Sequence, residues 1–353
     1  MGRLILHYSS EITVKYFRRR VYIKDVRYLV GGGLGVHSMK KVLTVLFVVF
    51  LLALEVGCGG GANWTNIAGG VSGSLVYSLA YDSGHGVLYA GTEKGVWKYH
   101  GTNWTDTGGE VSSTTVNSLA YDSGHSVLYA CCYVPSTNTG KGVWKYDGTN
   151  WTDTGEEVSS TTVNSLAYDS GHSVLYAGTG QGVWKYDGTN WTDTGGEVSS
   201  HEVHSLAYDS GHNVLYAGTE MGVWQYHGTN WTDIGGLVSS YIIQSLAYES
   251  GHNLLYAGTT NSGVWKYDGT NWTDTGGGVS SYYIYTLAYE SGHNVLYAGT
   301  VKNGVWKYDG TNWTDTGGGV SSTTVVSLAY DSSHNVLYAG TLKNGVWKYG
   351  GAK

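Results

Sequence analysis

From Val163 the chain reads Val-Asn-Ser-Leu-Ala-Tyr-Asp, then Ser-Gly-His-Ser, then Val-Leu-Tyr-Ala-Gly-Thr. Apolar and aromatic residues alternate with small or polar ones, and each short run breaks at Gly, Ser, Asp or His, the signature of half-buried strands joined by tight turns. Gly180-Gln181 leads into a third run, Gly182-Val183-Trp184-Lys185-Tyr186, and Asp187-Gly188-Thr189-Asn190 turns into a fourth, Trp191-Thr192-Asp193. The pattern therefore predicts four short strands. Helix is excluded by the density of Gly, Thr, Tyr and Val and by the lack of a 3.6-residue period outside one segment near the N-terminus. Leu166 and Tyr168 alternate with Ser165 and Ala167, so a large face and a small face can nest against neighbouring sheets, as propeller blades do.

The unit repeats. Gly-Val-Trp recurs with its tryptophan at Trp97, Trp144, Trp184, Trp224, Trp265, Trp306 and Trp347, and Asn-Trp-Thr with its own at Trp64, Trp104, Trp151, Trp191, Trp231, Trp272 and Trp313, which accounts for all 14 Trp. The second set is spaced 40, 47, 40, 40, 41 and 41 residues apart, the length of four short strands with turns. The repeats open on a lone Asn63-Trp64-Thr65 and close at Gly345-Val346-Trp347-Lys348-Tyr349 with no Asn-Trp-Thr after it. The expected fold is all-β: a seven-bladed β-propeller of four-stranded antiparallel blades over residues 62–350, closed by the N-terminal strand joining the last blade.

Leu-Tyr-Ala-Gly-Thr, Gly-Val-Trp-Lys-Tyr-Asp-Gly and the following Trp resemble the propeller repeats of extracellular sensor regions of the two-component-regulator type. Asp147-Gly148-Thr149-Asn150-Trp151 is also similar to the Asp-box of sialidase-like repeats, one residue shorter. The resemblance covers residues 62–350 and implies a fold, since such turns are structural in these families and their propellers serve many functions. The sialidase site implied by the second resemblance would need three arginines for the substrate carboxylate. The chain has no Arg after Arg27, so that activity is not expected here.

Ahead of the repeats, Met39-Lys40-Lys41 followed by the apolar run Val42 to Leu54 has the form of an export signal, too short for a membrane span. Residues 1–38 read as a mis-assigned or dispensable extension before a start at Met39, 39–57 as the signal and 58–61 as a short linker. Leu54-Glu55-Val56-Gly57-Cys58 resembles a bacterial lipoprotein signal, which implies lipidation of Cys58 and a membrane anchor; Glu55 stands where that pattern has leucine, and simple cleavage is the alternative. Either way the protein is expected to be exported, to the bacterial cell envelope or periplasm. Beyond residue 57 the chain holds 11 lysines against 24 carboxylates, a net of −13, and no arginine fork for phosphate, so nucleic acid is not an expected partner.

Candidate chemistry is sparse. His85, His125, His172, His212, His252, His293 and His334 each follow an acid by three residues, a pattern that closes a turn onto backbone or imidazole rather than completing a metal sphere. His201-Glu202-Val203-His204 departs from its counterparts, with 202 and 204 facing one way and 201 the other. Cys131-Cys132 replaces Gly-Thr, either as two free thiols or as a vicinal disulfide. The Trp ladder reads as core, with sugar stacking the alternative. The Asn-Trp-Thr sequons read as coincidence. No metal and no cofactor is expected, and no catalytic residue, because nucleophile, base and orienting group do not occur as a single set.

Two segments vary between otherwise matching repeats: the stretch before each innermost strand, and the connection between the second and third strands, longest at Tyr133 to Lys141. In an up-and-down blade both emerge on one face. That face, around the mouth of the central channel, is expected to bind a protein or glycan partner through Tyr241, Tyr282, Tyr283, Tyr285, His201, His204 and Tyr133. The function so read is a non-enzymatic exported binding propeller; a glycan-binding lectin with repeated sites is the alternative, and a hydrolase a distant one.

Overall fold

The computed structural model describes residues 12–17, 20–26 and 63–350, apart from residues 136, 138, 156, 159 and 160. The chain divides into two units, Met1–Gly60 and Gly61–Lys353. In the first, Ile12–Phe17 pairs antiparallel with Arg20–Val26. The expected export signal of residues 39–57, the expected lipidation at Cys58 and the expected linker of residues 58–61 fall outside the described residues.

The second unit is a propeller of seven four-stranded antiparallel sheets. Blade 1 runs from the inside outwards as Val76–Asp82, Val87–Thr92, Gly95–Tyr99 and Trp104–Asp106. The innermost strands of blades 2 to 7 are Thr115–Asp122, Val163–Asp169, Val203–Asp209, Ile243–Glu249, Ile284–Glu290 and Val325–Asp331. Blade 7 takes its outermost strand from the other end of the chain: Trp64–Asn66 pairs with Val346–Gly350, with Trp64 opposite Tyr349 and Asn66 opposite Trp347. The ring closes as the repeat order requires.

The core lies between blades. Ala80, Val87 and Tyr89 of blade 1 share one buried cluster with Val116, Leu119 and Leu128 of blade 2, and comparable clusters recur around the ring. The glycine of Leu-Tyr-Ala-Gly-Thr is needed for this approach. A Cβ on Gly258 would lie 2.6 Å from Ile284 Cγ2 of the next blade, and one on Gly178 2.6 Å from Val203 Cγ1.

Three sets of polar bonds tie each blade to its neighbour. The Asn-Trp-Thr indoles donate from Nε1 to the preceding blade at 2.7–3.1 Å, to Thr hydroxyls at five boundaries and to the carbonyls of Ile67 and Ile234 where isoleucine replaces threonine. Leucine N–H groups on the innermost strands, which face outward from the sheet edge, donate to a serine of the preceding blade at 2.8–3.0 Å. Thr286 stands at that serine position in blade 6.

The third set brings a tyrosine of each blade to the turn acid of the preceding one. Tyr121 donates to Asp82 Oδ2 at 2.6 Å, and Tyr168 and Tyr81 bond to Asp122 and Asp331. Tyr208, Tyr248, Tyr289 and Tyr330 lie beside Asp169, Asp209, Glu249 and Glu290 but donate their hydroxyl protons to Asn213, Asn253, Asn294 and Asn335 of their own turns. The same acids close the hairpin turn. Asp82 Oδ1 accepts from the N–H groups of Gly84 and His85, and Oδ2 lies 2.8 Å from His85 Nδ1. The histidines are thus turn partners of buried acids, and among the described residues no cluster of three or more His, Cys, Asp or Glu could hold a metal ion.

Burial alone would raise the pKa of Asp82, but the Tyr121 hydroxyl and then the His85 ring and N–H outweigh it, and the carboxyl sits below its usual value; Asp122 is held down likewise by Tyr168 and His125. A depressed folded-state pKa contributes stability that is present above the unfolded value of about 3.9 and lost as pH falls through the folded value. The urea midpoint should therefore hold at neutral pH and drop once pH passes below the ordinary carboxylate range. Tyr121→Phe should cost about 1.5–3 kcal/mol at neutral pH and lessen the acid sensitivity, as urea titrations at both pH values would show. An unchanged midpoint in the variant would remove the bond from the list of stabilising contacts.

Closure supplies a second prediction. Trp64 is 7% exposed, stacks on Tyr349 at 5.0 Å and donates to Thr316. A chain beginning at Val71 loses that tryptophan and one strand of blade 7. Loss of one buried aromatic costs about 3–5 kcal/mol, against a domain stability of about 5–15 kcal/mol. That chain should melt well below one beginning at Ala62, or associate by borrowing a strand from a neighbour. Calorimetry with sedimentation velocity decides; equal melting temperatures for two monomers would contradict the closure energetics.

Candidate functional site

The innermost strand of every blade carries a bulge at one position. In blade 1, Val76 pairs with Thr92 and Ser78 with Gly91, which leaves Tyr77 as the extra residue. Its counterparts are Asn117, Asn164, His204, Gln244, Tyr285 and Val326. A bulge residue has no cross-strand partner and its side chain is re-aimed. A position that varies strongly between repeats is thus the one the ladder releases, at the channel-mouth end of the strand that lines the channel.

Just before the bulge, His201, Tyr241 and Tyr282 occupy one repeat position, and each packs its ring against the third-strand tryptophan of its own blade, His201 and Tyr241 tilted and Tyr282 edge-on. Centroid distances are 5.3 Å to Trp224, 5.8 Å to Trp265 and 5.7 Å to Trp306. His201 Nδ1 also lies 2.9 Å from Glu220 Oε1, while Oε2 of that carboxylate is buried without a hydrogen-bond partner. His204 Nδ1 is 3.9 Å from Glu202 Oε1, which in turn accepts from Asn164 Nδ2 at 3.3 Å. Residues 202 and 204 do share a side, and His201 turns to a different acid. Tyr283 and Tyr285 stack on each other at 4.6 Å. Burial, and then its neighbour Tyr285, push the Tyr283 phenol up to about 12.

Six of the seven expected residues therefore form an arc over blades 4 to 6. The seventh, Tyr133, is in a different sector, on blade 2. There it lines a cleft of about 480 Å³ with Thr115, Asn117 and Pro135 of the same blade, Tyr77 of blade 1 and Thr162 of blade 3. Sequence comparison passed over Tyr77, though it is a tyrosine at the bulge position, as Tyr285 is. It also passed over three exposed apolar residues: Met221 and Leu237, at positions where other repeats place polar residues or glycine, and Ile242, where three other repeats place threonine.

The tryptophans are not free sugar platforms. The Asn-Trp-Thr rings are buried or half-buried, lie against tyrosines such as Tyr146 and Tyr226 at 4.9 Å, and donate to the neighbouring blade. A second cleft of about 360 Å³ opens between blades 2 and 3 on the opposite face, lined among others by His125, Lys145, Asp147, Tyr168 and Asp187. These are residues of the repeated strands and turns, and the turn acids are already bonded within their turns: Asp147 and Asp187 accept from the N–H groups two and three residues on.

Cys131 and Cys132 are free and buried, and Cys131 stands where other blades have the close-approach glycine. The Ser118 N–H donates to Cys131 Sγ at 3.1 Å. Burial pushes both thiols up to about 12, so neither is a thiolate near neutrality. With an aromatic disulfide reagent the folded protein should show no reaction at these two positions and the unfolded protein two equivalents from them. Slow release of two equivalents only after reduction would indicate a vicinal disulfide instead.

Neither a family model nor a curated protein matches the chain. Solved structures do. An extracellular domain assigned to a hybrid two-component system of B. thetaiotaomicron superposes with a TM-score of 0.64 at 19% identity, over 81% of this chain and 39% of that one. The GH74 enzyme of Niastella koreensis superposes with a TM-score of 0.64 at 17% identity, over 81% of this chain and 53% of that one. A chain of the mitotic checkpoint complex superposes at 0.60 and 14% identity, over 81% and 90%. This chain thus spans about two fifths of the length of the bacterial extracellular domain. At such identities the likeness establishes a propeller fold shared by a regulator's extracellular domain and a glycoside hydrolase alike.

Proposed function

We propose that the protein is an exported, non-enzymatic binding propeller that presents an interaction face around the channel mouth at the bacterial cell envelope, with a membrane anchor where Cys58 is lipidated. The observation that carries this reading is the contrast between its two faces. On one, the acid–histidine turn repeats its bonded geometry in all seven blades and the Asp-Gly-Thr-Asn turn does so in four, as side chains used for structure do. On the other, the released bulge position carries Tyr77, Asn117, His204, Gln244 or Tyr285, and the cleft beside Tyr133 is lined from three different blades. The likeness to an extracellular domain of a two-component system agrees with export.

A glycan is the second reading, favoured by one feature: Tyr77 and Tyr133 share their cleft with the hydroxyl and amide groups of Thr115, Asn117 and Thr162, the combination of aromatic and polar groups that suits a sugar. It would be a single site rather than seven. A hydrolase is the distant reading, and it rests on the fold shared with the GH74 enzyme alone.

The test uses two variants, Tyr282→Ala/Tyr283→Ala/Tyr285→Ala and Tyr77→Ala/Tyr133→Ala, in capture from envelope extract and on a glycan array. Capture of an envelope protein that is weakened at least tenfold by the first set is the expected result, since aromatic anchors dominate such interfaces. Glycan binding abolished by the second set alone would make it a lectin. Capture and glycan binding unaffected by both sets, or release of sugars from a polysaccharide, would overturn the proposal.

A further inference from the structure

Met221, Leu237 and Ile242 are 56, 67 and 38% exposed, and they are the exposed large hydrophobic residues among the described part of the chain. They come from three segments that the fold brings together at one boundary, between blades 4 and 5. Met221 lies in the connection between the second and third strands of blade 4, and the N–H of the next residue, Gly222, donates to Tyr241 O at 3.1 Å. Tyr241 N–H donates to Val238 O at 3.0 Å, adjacent to Leu237, and Ile242 O accepts from Thr260 N–H at 3.3 Å. Tyr241 is therefore at the centre of the group, its ring resting on Trp265.

The combination is particular to this boundary. At the position of Met221 blade 3 has Gln181; at that of Leu237 other linkers have Gly70, Glu110, Glu197, Gly278 and Gly319; at that of Ile242 blades 2, 3 and 7 have Thr115, Thr162 and Thr324 and blade 4 has Glu202, while blades 1 and 6 have Leu75 and Tyr283 without an apolar residue at the other two positions. Packing of the ring does not require the three together, since no other boundary has them.

Charge sets this sector apart as well. Between Lys185 and Lys266 the chain holds eight carboxylates and no lysine or arginine, and the third-strand lysine of every other blade is Gln225 in blade 4. Two of these carboxylates flank the cluster: Glu220, which directly precedes Met221 and is paired with His201, and the exposed Asp233, whose Oδ1 accepts from the Gly235 N–H at 2.7 Å at the head of the linker that carries Leu237. An apolar cluster flanked by carboxylates, in a sector without lysine or arginine, selects a complementary partner: an apolar anchor to cover the cluster, with cations beside it.

We propose that Met221, Tyr241, Leu237 and Ile242 form the docking site for a protein segment that presents an aliphatic or aromatic anchor flanked by lysines or arginines. This rests on the reading of the channel-mouth face as a binding face and names where on that face a protein partner sits and what it carries.

The experiment selects a random peptide library displayed on phage against the purified full-length chain, then measures the selected peptides by titration. The expected peptides combine one or two large apolar residues with a net positive charge. Their affinity should fall at least tenfold when Met221→Gln, Leu237→Gly and Ile242→Thr are introduced together, each a residue that another repeat already carries there, with an unchanged melting temperature as the control for folding. Raised salt should weaken binding to the unaltered chain, and replacing the peptide lysines by glutamate should abolish it, two readouts that do not depend on the variant. The docking site is overturned if the peptides are acidic or neutral, or if they bind the triple variant unchanged. It is also overturned if no peptide is selected, or if the chain self-associates through this patch, which would make a second copy its occupant. Peptides that ignore the triple variant but are lost with Tyr77→Ala/Tyr133→Ala would overturn this site while leaving the binding-propeller reading in place; absence of any peptide, protein or glycan ligand would remove both.

Discussion

A propeller blade is a small sheet with two open edges and two faces, and in isolation neither edge nor face is satisfied. The structure depends on making each blade complete its neighbour. Valine or isoleucine from one innermost strand presses against a glycine of the preceding blade. Leucine N–H groups along the inner edge find serine hydroxyls, and indoles at the outer edge find threonines. On the face of the repeated turns, a tyrosine of each blade reaches the buried acid of the one before. The circle has no terminal member, because Tyr81 of blade 1 reaches Asp331 of blade 7 and Trp64 supplies the last blade's outer strand.

This arrangement divides the surface by duty. Acids on the repeated-turn face serve several demands at once: they accept from backbone N–H groups of the turn, hold an imidazole and lie against a tyrosine of the next blade. A change in any of them disturbs both a turn and a boundary, so the seven copies stay alike. On the channel-mouth face the bulge residue pairs with nothing, and the residues beside it rest on a tryptophan without being needed to close a ladder. Chemistry can diverge there at little cost in stability, and that is where the tyrosines, histidines and apolar residues that break the repeat are found.

The boundary between blades 2 and 3 illustrates how far the repeat can bend. Cys131 takes the place of the close-approach glycine, and Val163 opposite is 6% exposed where Val76, Val116 and Val203 are fully buried. The strands of blade 2 are also longer, Val127–Val134 and Thr139–Tyr146, and carry Tyr133 and Pro135 out to the mouth cleft. One side chain larger than hydrogen at a close contact is accommodated by a small shift, since the neighbour is another repeat and not a rigid core.

By itself the sequence determined the architecture: strand length and alternation, turn chemistry at Asp-Ser-Gly-His and Asp-Gly-Thr-Asn, a period near 40 residues, and an unmatched Asn-Trp-Thr at the start that had to pair with the end. All of these are local or periodic properties, so they can be read residue by residue. It also marked the variable face and most of the tyrosines on it. What the tertiary structure decided is which of those residues meet. The bulge that releases Tyr77, His204 and Tyr285 is a mismatch of register between two strands, and the bond from Tyr121 to Asp82 joins residues of different repeats. The grouping of Met221, Leu237 and Ile242 likewise needs a connection, a linker and the start of a strand from two blades to converge. Each of these depends on contacts between segments distant along the chain, and a repeating pattern specifies that neighbours pack without saying which exceptional side chains the packing will bring together.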